Sequence, residues 1–452
     1  MRSWLFFAIL WIAIFIGQTP SFAQINKNPY LGKSMYINPS FIKDLQSSIA
    51  TSTDTITIAN LKIAQTAPTA YWLDVMAKVQ PNAEAEQILK DVASKNPIPV
   101  MTFIVYDLPN RDCNAAASNG EIQCETQQCS GGLDIYKNKY ITPLFNLLKK
   151  YPQVPLVLII EPDSLPNMAT NLGNPRCGNY VHVYTEGITY TVNTLAALPN
   201  VVMYLDAAHS GWLGWENNMQ KFVDIVQPMG ILPKLRGFAT NVANYQPLGQ
   251  MCGSVGWCLP PGTNAGSACC ADPCKLTNEW NGANNEMNYM QLMKKYFPDK
   301  FFITDTGRNA RQTRERCANW CNIKDAGLGQ FPTTNTGVAY IDAFLWLKTP
   351  GESDGCTPSG ANCKRFDYMC ASSDSLQPAP EAGKWFDFQI KMLAKNANFG
   401  TIPTPQPTPQ PTQPTPQPTQ PTQPTQPTPQ PTQPTQPTQP TPAGYWICNV
   451  CK

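Results

Sequence analysis

Between about position 68 and position 400 the apolar residues fall into short unbroken runs. Each run is closed by polar punctuation and followed by a longer stretch in which apolar side chains recur three and four apart. The runs lie at 70–73, 99–105, 156–160, 201–205, 235–239, 301–304 and 339–347. Short runs rich in branched side chains predict strands buried on both faces. The stretches at 83–94, 140–150, 180–195 and 286–296 predict amphipathic helices. Strands alternating with helices imply an α/β fold with a parallel sheet wrapped by helices. About seven such units in roughly 375 residues fit one closed, distorted parallel β/α barrel. An open doubly wound sheet is the alternative, although no Gly-x-Gly-x-x-Gly follows the first run to suggest a dinucleotide site. Residues 24–68 show few periodic apolar positions and read as an arm laid on the domain surface.

Every run ends on residues suited to a site. Asp74 follows the first, Tyr106 and Asp107 the second, and Glu161-Pro162-Asp163 the third. Asp206, Asn241 and Asp305 follow the next three, and Lys348, Glu352 and Asp354 the last. Barrel enzymes keep their chemistry at the C-terminal strand ends, and Pro162, which cannot donate to a ladder, stops the third strand there. Alone, an E-P-D tripeptide reads as two solvated loop acids. With Arg111-Asp112-Cys113 after the neighbouring run, it places acids at adjacent tips of one barrel face. That arrangement suits glycoside hydrolysis, in which a protonated acid keeps the leaving oxygen from departing as an alkoxide.

The chain's ends and composition add limits. Arg2, an apolar stretch at 5–16 and Ser21-Phe22-Ala23 form a signal-peptide pattern over 1–23, so the mature chain is expected to begin near Gln24 and to be secreted. No apolar run is long enough to span a bilayer. Sixteen cysteines in an exported chain imply disulfides. With only His182 and His209 as histidines, no metal and no cofactor are expected. A net charge of +2 gives no footprint for nucleic acid or membrane. Acid–base work must then fall to carboxylates. Residues 401–442 are a Thr/Pro/Gln repeat that cannot bury a core, and at about 3.1 Å per residue such a linker reaches on the order of 120 Å. The tail at 443–452 carries Tyr445, Trp446, Cys448 and Cys451. It reads either as a truncated binding module, touching cellulose or a scaffold, or as a disordered end closed by a local bridge.

Two segments carry a family resemblance: V-Y-D-L-P-N-R-D-C-N-A-A-A-S-N-G at 105–120 and L-V-L-I-I-E-P-D-S-L-P-N at 156–167. They resemble the signature motifs of glycoside hydrolase family 6, the cellulases. Further matches follow in order at 203–215, 239–245, 301–308, 346–355 and 377–386, so that the resemblance covers roughly 28–398. It implies a catalytic domain over 24–400 acting on cellulose or other β-1,4-glucan chains with inversion, as a monomer. By position, Asp163 matches the general acid and Asp112 the neighbour that raises its pKa and holds the water. Asp354 matches the proposed base, Asp206 a supporting acid, and Tyr106 the tyrosine that distorts the sugar ring. Trp72, Trp212, Trp215 and Trp320 match sugar platforms. Asp74, Ser118, His209, Asn244, Lys348 and Glu352 match polar contacts. Trp257, Trp280 and Trp385 are expected in the core.

The resemblance also implies the disulfides Cys113–Cys177 and Cys321–Cys370. The remaining cysteines depart from the family's pattern: Cys124–Cys129 and Cys356–Cys363 are expected as local pairs, and 252–274 is an insertion. Two loops, 110–137 and 349–376, have the full length that roofs the cleft into a tunnel in the family's cellobiohydrolases. The expected activity is therefore release of cellobiose from non-reducing ends. An endoglucanase of the same family is the alternative, and a non-catalytic cellulose-binding or scaffold protein another.

Overall fold

Seven parallel strands follow one another across a sheet in chain order: β1 (Tyr71–Leu73), β2 (Met101–Val105), β3 (Leu156–Ile160), β4 (Val201–Asp206), β5 (Gly237–Thr240), β6 (Phe301–Asp305) and β7 (Ile341–Leu345). The computed structural model describes residues 25–358 and 363–402. Within these, the sheet curls until β1 and β7 meet through one parallel bridge, Thr69 to Trp346, rather than a ladder. The predicted barrel is thus distorted at that seam.

Side chains alternate across each strand, and both sets are apolar, which is why the runs are unbroken. Ile104, Ile159 and Tyr204 lie side by side in the register of β2, β3 and β4 and point into the barrel with Val157, Ile303 and Ala343. Phe103, Leu158 and Met203, one residue earlier, face the outer helices. A polar lock also crosses the barrel interior. Arg236 donates from Nε and Nη2 to the two oxygens of Asp342, at 2.9 and 2.8 Å, and the Tyr204 hydroxyl donates to the same carboxylate at 2.6 Å. Both charged side chains are buried.

Two expectations change. Residues 24–68 are not a surface arm but contain helices Pro39–Ala50 and Thr55–Ala64. Asn38 caps the first helix, with Pro39 at its first position. Phe41, Leu45 and Leu61 bury against Trp346, Ile390 and Leu393, forming a separate apolar cluster with helix Asp387–Lys395. The helix expected at 140–150 spans Thr142–Lys149 and continues a wide π-helical turn, Tyr136–Ile141. That turn brings the Tyr136 and Tyr140 hydroxyls to the ends of β1–β3, where Tyr136 donates to Glu161 at 2.7 Å and Tyr140 donates to the Leu73 carbonyl. No helix among the described residues is long and apolar enough to cross a membrane. The segment expected to be a signal peptide, nearly all of the expected linker and the tail lie outside the described residues.

Removing one partner of a buried ion pair strands the other charge, a loss of about 3–5 kcal/mol. Asp342→Ala is therefore expected to lower unfolding free energy by about that amount in urea melts with disulfides intact. A change under about 0.5 kcal/mol, the scale of a surface substitution, would remove the lock from the barrel's stability.

Candidate active site

The strand ends turn sharply. Asn110 and Asp112 after β2, Glu161 and Asp163 after β3, Ala208 after β4, and Asn241 and Ala243 after β5 all adopt left-handed backbone conformations, with φ between 46° and 62°. Such conformations disfavour residues with a β-carbon and persist when surrounding bonds over-determine them. Here the bonds are visible. Arg111, buried and stacked 4.2 Å over the Tyr106 ring, donates to the carbonyls of Asp74 (2.6 Å), Ser118 (3.0 Å) and Tyr106, and to Asp107 Oδ1 (3.1 Å). Asp305 accepts from the backbone N–H groups of Gly307, Ala243 and Lys348, tying together the ends of β5, β6 and β7.

These turns set carboxyl groups of contrasting surroundings side by side. Asp112 accepts from the Tyr106 hydroxyl and from the Ser118 side chain. Burial nevertheless pushes it above the usual carboxylate range. Asp206 lies below, accepting at Oδ2 from the Asp163 and Ala208 N–H groups at 3.0 and 3.1 Å. Burial raises it to about 7. Among the described residues no donor reaches the carboxyl oxygens of Asp163. Burial, then the charges of Asp112 and Asp206, push it well above its ordinary value. Glu161, two residues earlier, is structural: it accepts from the Asp107 and Leu108 N–H groups and from Tyr136. Asp354 is hydrogen-bonded at both carboxyl oxygens. Arg308 Nη1 donates to both oxygens at 2.8 and 2.9 Å, while the Tyr245 hydroxyl and Asn322 N–H each donate to Oδ2 at 2.8 Å.

Asp112, Asp163 and Asp354 line one cleft of ≈ 700 Å³, with Tyr106 and Ser118. Trp72, Trp212 and Trp320, and the polar Asp74, His209, Asn244, Lys348 and Glu352, line the same cavity. Trp72 stands edge-on to Tyr106 at 5.3 Å, while Lys348 lies 5.5 Å from the Trp72 ring and pairs with Glu352 at 3.2 Å. Burial would raise Asp74, but Lys78 beside it holds the carboxyl low. His209 is kept neutral, its pKa lowered to about 3 by burial. Asn244 spends its carbonyl on the Tyr245 N–H, so its amide donates to His209 Nε2 at 3.1 Å. The ring proton is thereby assigned to Nδ1, which has no partner of its own.

Two predicted site residues fall outside the lining: Asp206 sits beneath Asp163, and half-buried Trp215 donates to the Glu279 carbonyl at 2.7 Å. The lead-in helix, unforeseen here, supplies Asn38, Phe41 and Asp44 to the wall. Arg308 and Tyr245, which orient Asp354, were not singled out, although each ends a family-like segment, F-F-I-T-D-T-G-R and A-T-N-V-A-N-Y.

Among the described residues seven disulfides bind the loops. Cys113–Cys177, Cys321–Cys370, Cys124–Cys129 and Cys356–Cys363 pair as expected. The insertion adds Cys252–Cys269, Cys258–Cys270 and Cys274–Cys317. The loop after β2 and the loop after β7 bond to each other: Ala116 N–H donates to Asp367 Oδ2 at 2.7 Å, and Arg365 donates to the Asn119 carbonyl at 3.1 Å. Trp385 packs against Phe41 as expected, but Trp257 and Trp280 are not core residues, being 45% and 63% exposed. Both sit on the insertion and its flank, where too little apolar surface exists to cover an indole.

A profile of the glycosyl hydrolases family 6 matches residues 30–256 and 263–397. The chain is similar to 1,4-beta-D-glucan cellobiohydrolase C of Emericella nidulans, with 40% identity over 392 residues that cover 83% of this chain and 80% of the relative. It is also similar to exoglucanase 2 of Hypocrea jecorina, with 38% identity over 393 residues, 83% of this chain and 76% of the relative. Among solved structures it is similar to the catalytic core of a cellobiohydrolase from Chaetomium thermophilum, with TM-score 0.70 and 35% identity over 82% of this chain and 99% of that one. Cellobiohydrolase II from Humicola insolens, in complex with glucose and cellotetraose, has TM-score 0.71 and 34% identity over the same shares, 82% and 99%. A parallel barrel with acids at its strand tips is here the fold of a glycoside hydrolase. The chain belongs to the glycosyl hydrolases family 6.

Asp112→Asn removes a negative charge beside Asp163 and so lowers the pKa of the latter. Activity that needs the Asp163 proton is lost as pH rises through that pKa, and the alkaline limb of the pH–rate profile is expected to move to lower pH in the variant. An unmoved limb would sever the coupling.

Proposed function

We propose that the protein is a secreted cellobiohydrolase that cleaves β-1,4-glucosidic bonds of cellulose with inversion and releases cellobiose from non-reducing ends. One observation carries the reading: the two loops that line the cleft holding Asp163 are hydrogen-bonded to each other. Loops joined in this way admit a glucan by its end and let it slide. The names of the relatives, cellobiohydrolase and exoglucanase, support the same mode.

Protonated Asp163 gives its proton to the glycosidic oxygen as the bond breaks. Inversion needs a water on the opposite face of the ring, with the carboxyl groups about 6.5–9.5 Å apart. Asp112 and Ser118 hold that water. Asp354 is the candidate base, and its geometry sets a condition: Oδ2 already accepts three donors, so a proton must arrive at Oδ1, which among the described residues accepts only from Arg308. Tyr106, edge-on to Trp72 and bonded to Asp112, links ring distortion to the acid pair. The indoles stack on the C–H faces of glucose, while the His209 Nδ1 proton and the Lys348–Glu352 pair meet its hydroxyls. The signal-peptide pattern and the cysteine-rich chain support export. The protein acts as a monomer, and the tail beyond the linker is a contact to cellulose or a scaffold.

Loss of a general acid removes about 10²–10⁴-fold in rate. Asp163→Asn is expected to lose that much turnover on amorphous cellulose, and unchanged turnover would dismiss the mechanism. For the wild type, reducing ends should appear mainly in the soluble fraction. Mainly insoluble ends, with rapid viscosity loss on carboxymethylcellulose, would make it an endoglucanase.

A further inference from the structure

We infer that a cellulose chain outside the cleft, still part of the solid, lies across a second aromatic face built by Trp257 and Trp280 beside Trp215. The inference rests on the cellulase reading above and adds a binding surface to it. Trp280 and Trp257 are among the exposed large apolar side chains. Trp280 is moreover held in a left-handed backbone conformation, φ 60°, which bulky residues avoid. An indole kept in water on a strained backbone has no packing reason to be there.

Hydrogen bonds join this face to the cleft. Trp215 donates its indole N–H to the Glu279 carbonyl, next in the chain to Trp280, at 2.7 Å. Asn281 donates to the Ser210 carbonyl at 2.9 Å. A β-carbon on Gly214 would come within 2.6 Å of the Asn281 side chain, so only glycine lets the two segments meet this closely. Gly256 N–H donates to the Gly282 carbonyl at 3.3 Å, which sets the arm bearing Trp257 against the arm bearing Trp280. From the cleft wall at Trp212, aromatic residues thus continue outward through Trp215 to a surface the cavity does not include.

The segment is also rigid. Cys252–Cys269, Cys258–Cys270 and Cys274–Cys317 cross-link it, and the side chains of Asn285 and Asn288 both donate to the Cys269 carbonyl at 3.2 Å. The four sulfurs of Cys252, Cys258, Cys269 and Cys270 lie within 4.8 Å of one another, a metal-like cluster, but they are spent in the first two of these disulfides. A surface ordered before it meets its ligand loses little entropy on binding. Its chemistry selects the ligand. From residue 251 to residue 271, the arm that bears Trp257, there is no charged side chain, and this arm suits a neutral polymer with apolar faces and hydroxyl edges. The family match skips 257–262, which contains Trp257, so this half of the face belongs to the chain's own insertion.

The test uses the full-length Asp163→Asn chain and oxidative footprinting of tryptophan, read by peptide mapping. On microcrystalline cellulose, Trp257 and Trp280 are expected to lose reactivity several-fold, while cellotetraose alone leaves them as reactive as in the free protein. Adsorption without protection, as binding through the tail alone would give, overturns the inference. In the otherwise wild-type chain, Trp257→Ala with Trp280→Ala is expected to retain cellotetraose turnover and lose several-fold of the rate on microcrystalline cellulose. Equal rates on the crystalline substrate overturn it. Wild-type protein inert toward cellotetraose would instead defeat the cellulase reading, a result the footprint, which measures binding alone, keeps separate.

Discussion

The site depends on a carboxyl group that nothing in the chain solvates. Asp163 receives no hydrogen bond at its side chain among the described residues, lines the cleft, and stands against Asp112 and Asp206. Each neighbouring acid has donors: the tyrosine and serine for Asp112, two backbone amides for Asp206, and the guanidinium, phenol and amide for Asp354. The proton settles where the anion is served worst. Four carboxyl groups of the same chemical type are thus set apart by environment: Asp163 without donors, Asp112, Asp206 and Asp354 with them.

Holding that imbalance requires a rigid rim. The strand ends cannot supply it by ladder pairing, because β1 and β7 meet at one bridge and the tips turn through left-handed conformations. Arg111 and Asp305 do so instead, each bonding to backbone groups from several strand ends. Disulfides then anchor the long loops. Their bridges remove freedom from the unfolded loops, and the bonds of Ala116 and Arg365 join one loop to the other. The same device, concentrated at 252–274, lets an insertion with little regular structure present exposed indoles.

Much of this was legible in the chain. The seven apolar runs contain four of the strands outright and all but the last residue of the other three, because strands buried on both faces leave little polar interruption to confuse the pattern. Residues 39–50 were less legible: their apolar positions are sparse, and only the Asn38-Pro39 start marks a helix. Trp257 and Trp280 were misplaced because the rule that tryptophan packs inside holds where a core is near, and a disulfide knot provides none.

The sequence by itself determined the strands, the acids that follow them and the family, since these are properties of neighbours in the chain. It could also propose local cysteine pairs, whose partners lie close along it. Only the tertiary structure shows which groups surround each acid, because donors and charges arrive from other strands: Asp112 from β2 and Asp206 from β4 beside Asp163, and Arg308 beyond β6 on Asp354. It likewise decided that the two loops meet, and that two tryptophans remain in water. Contacts between residues far apart in the chain leave no mark in its local pattern, and the work of this site is done by such contacts.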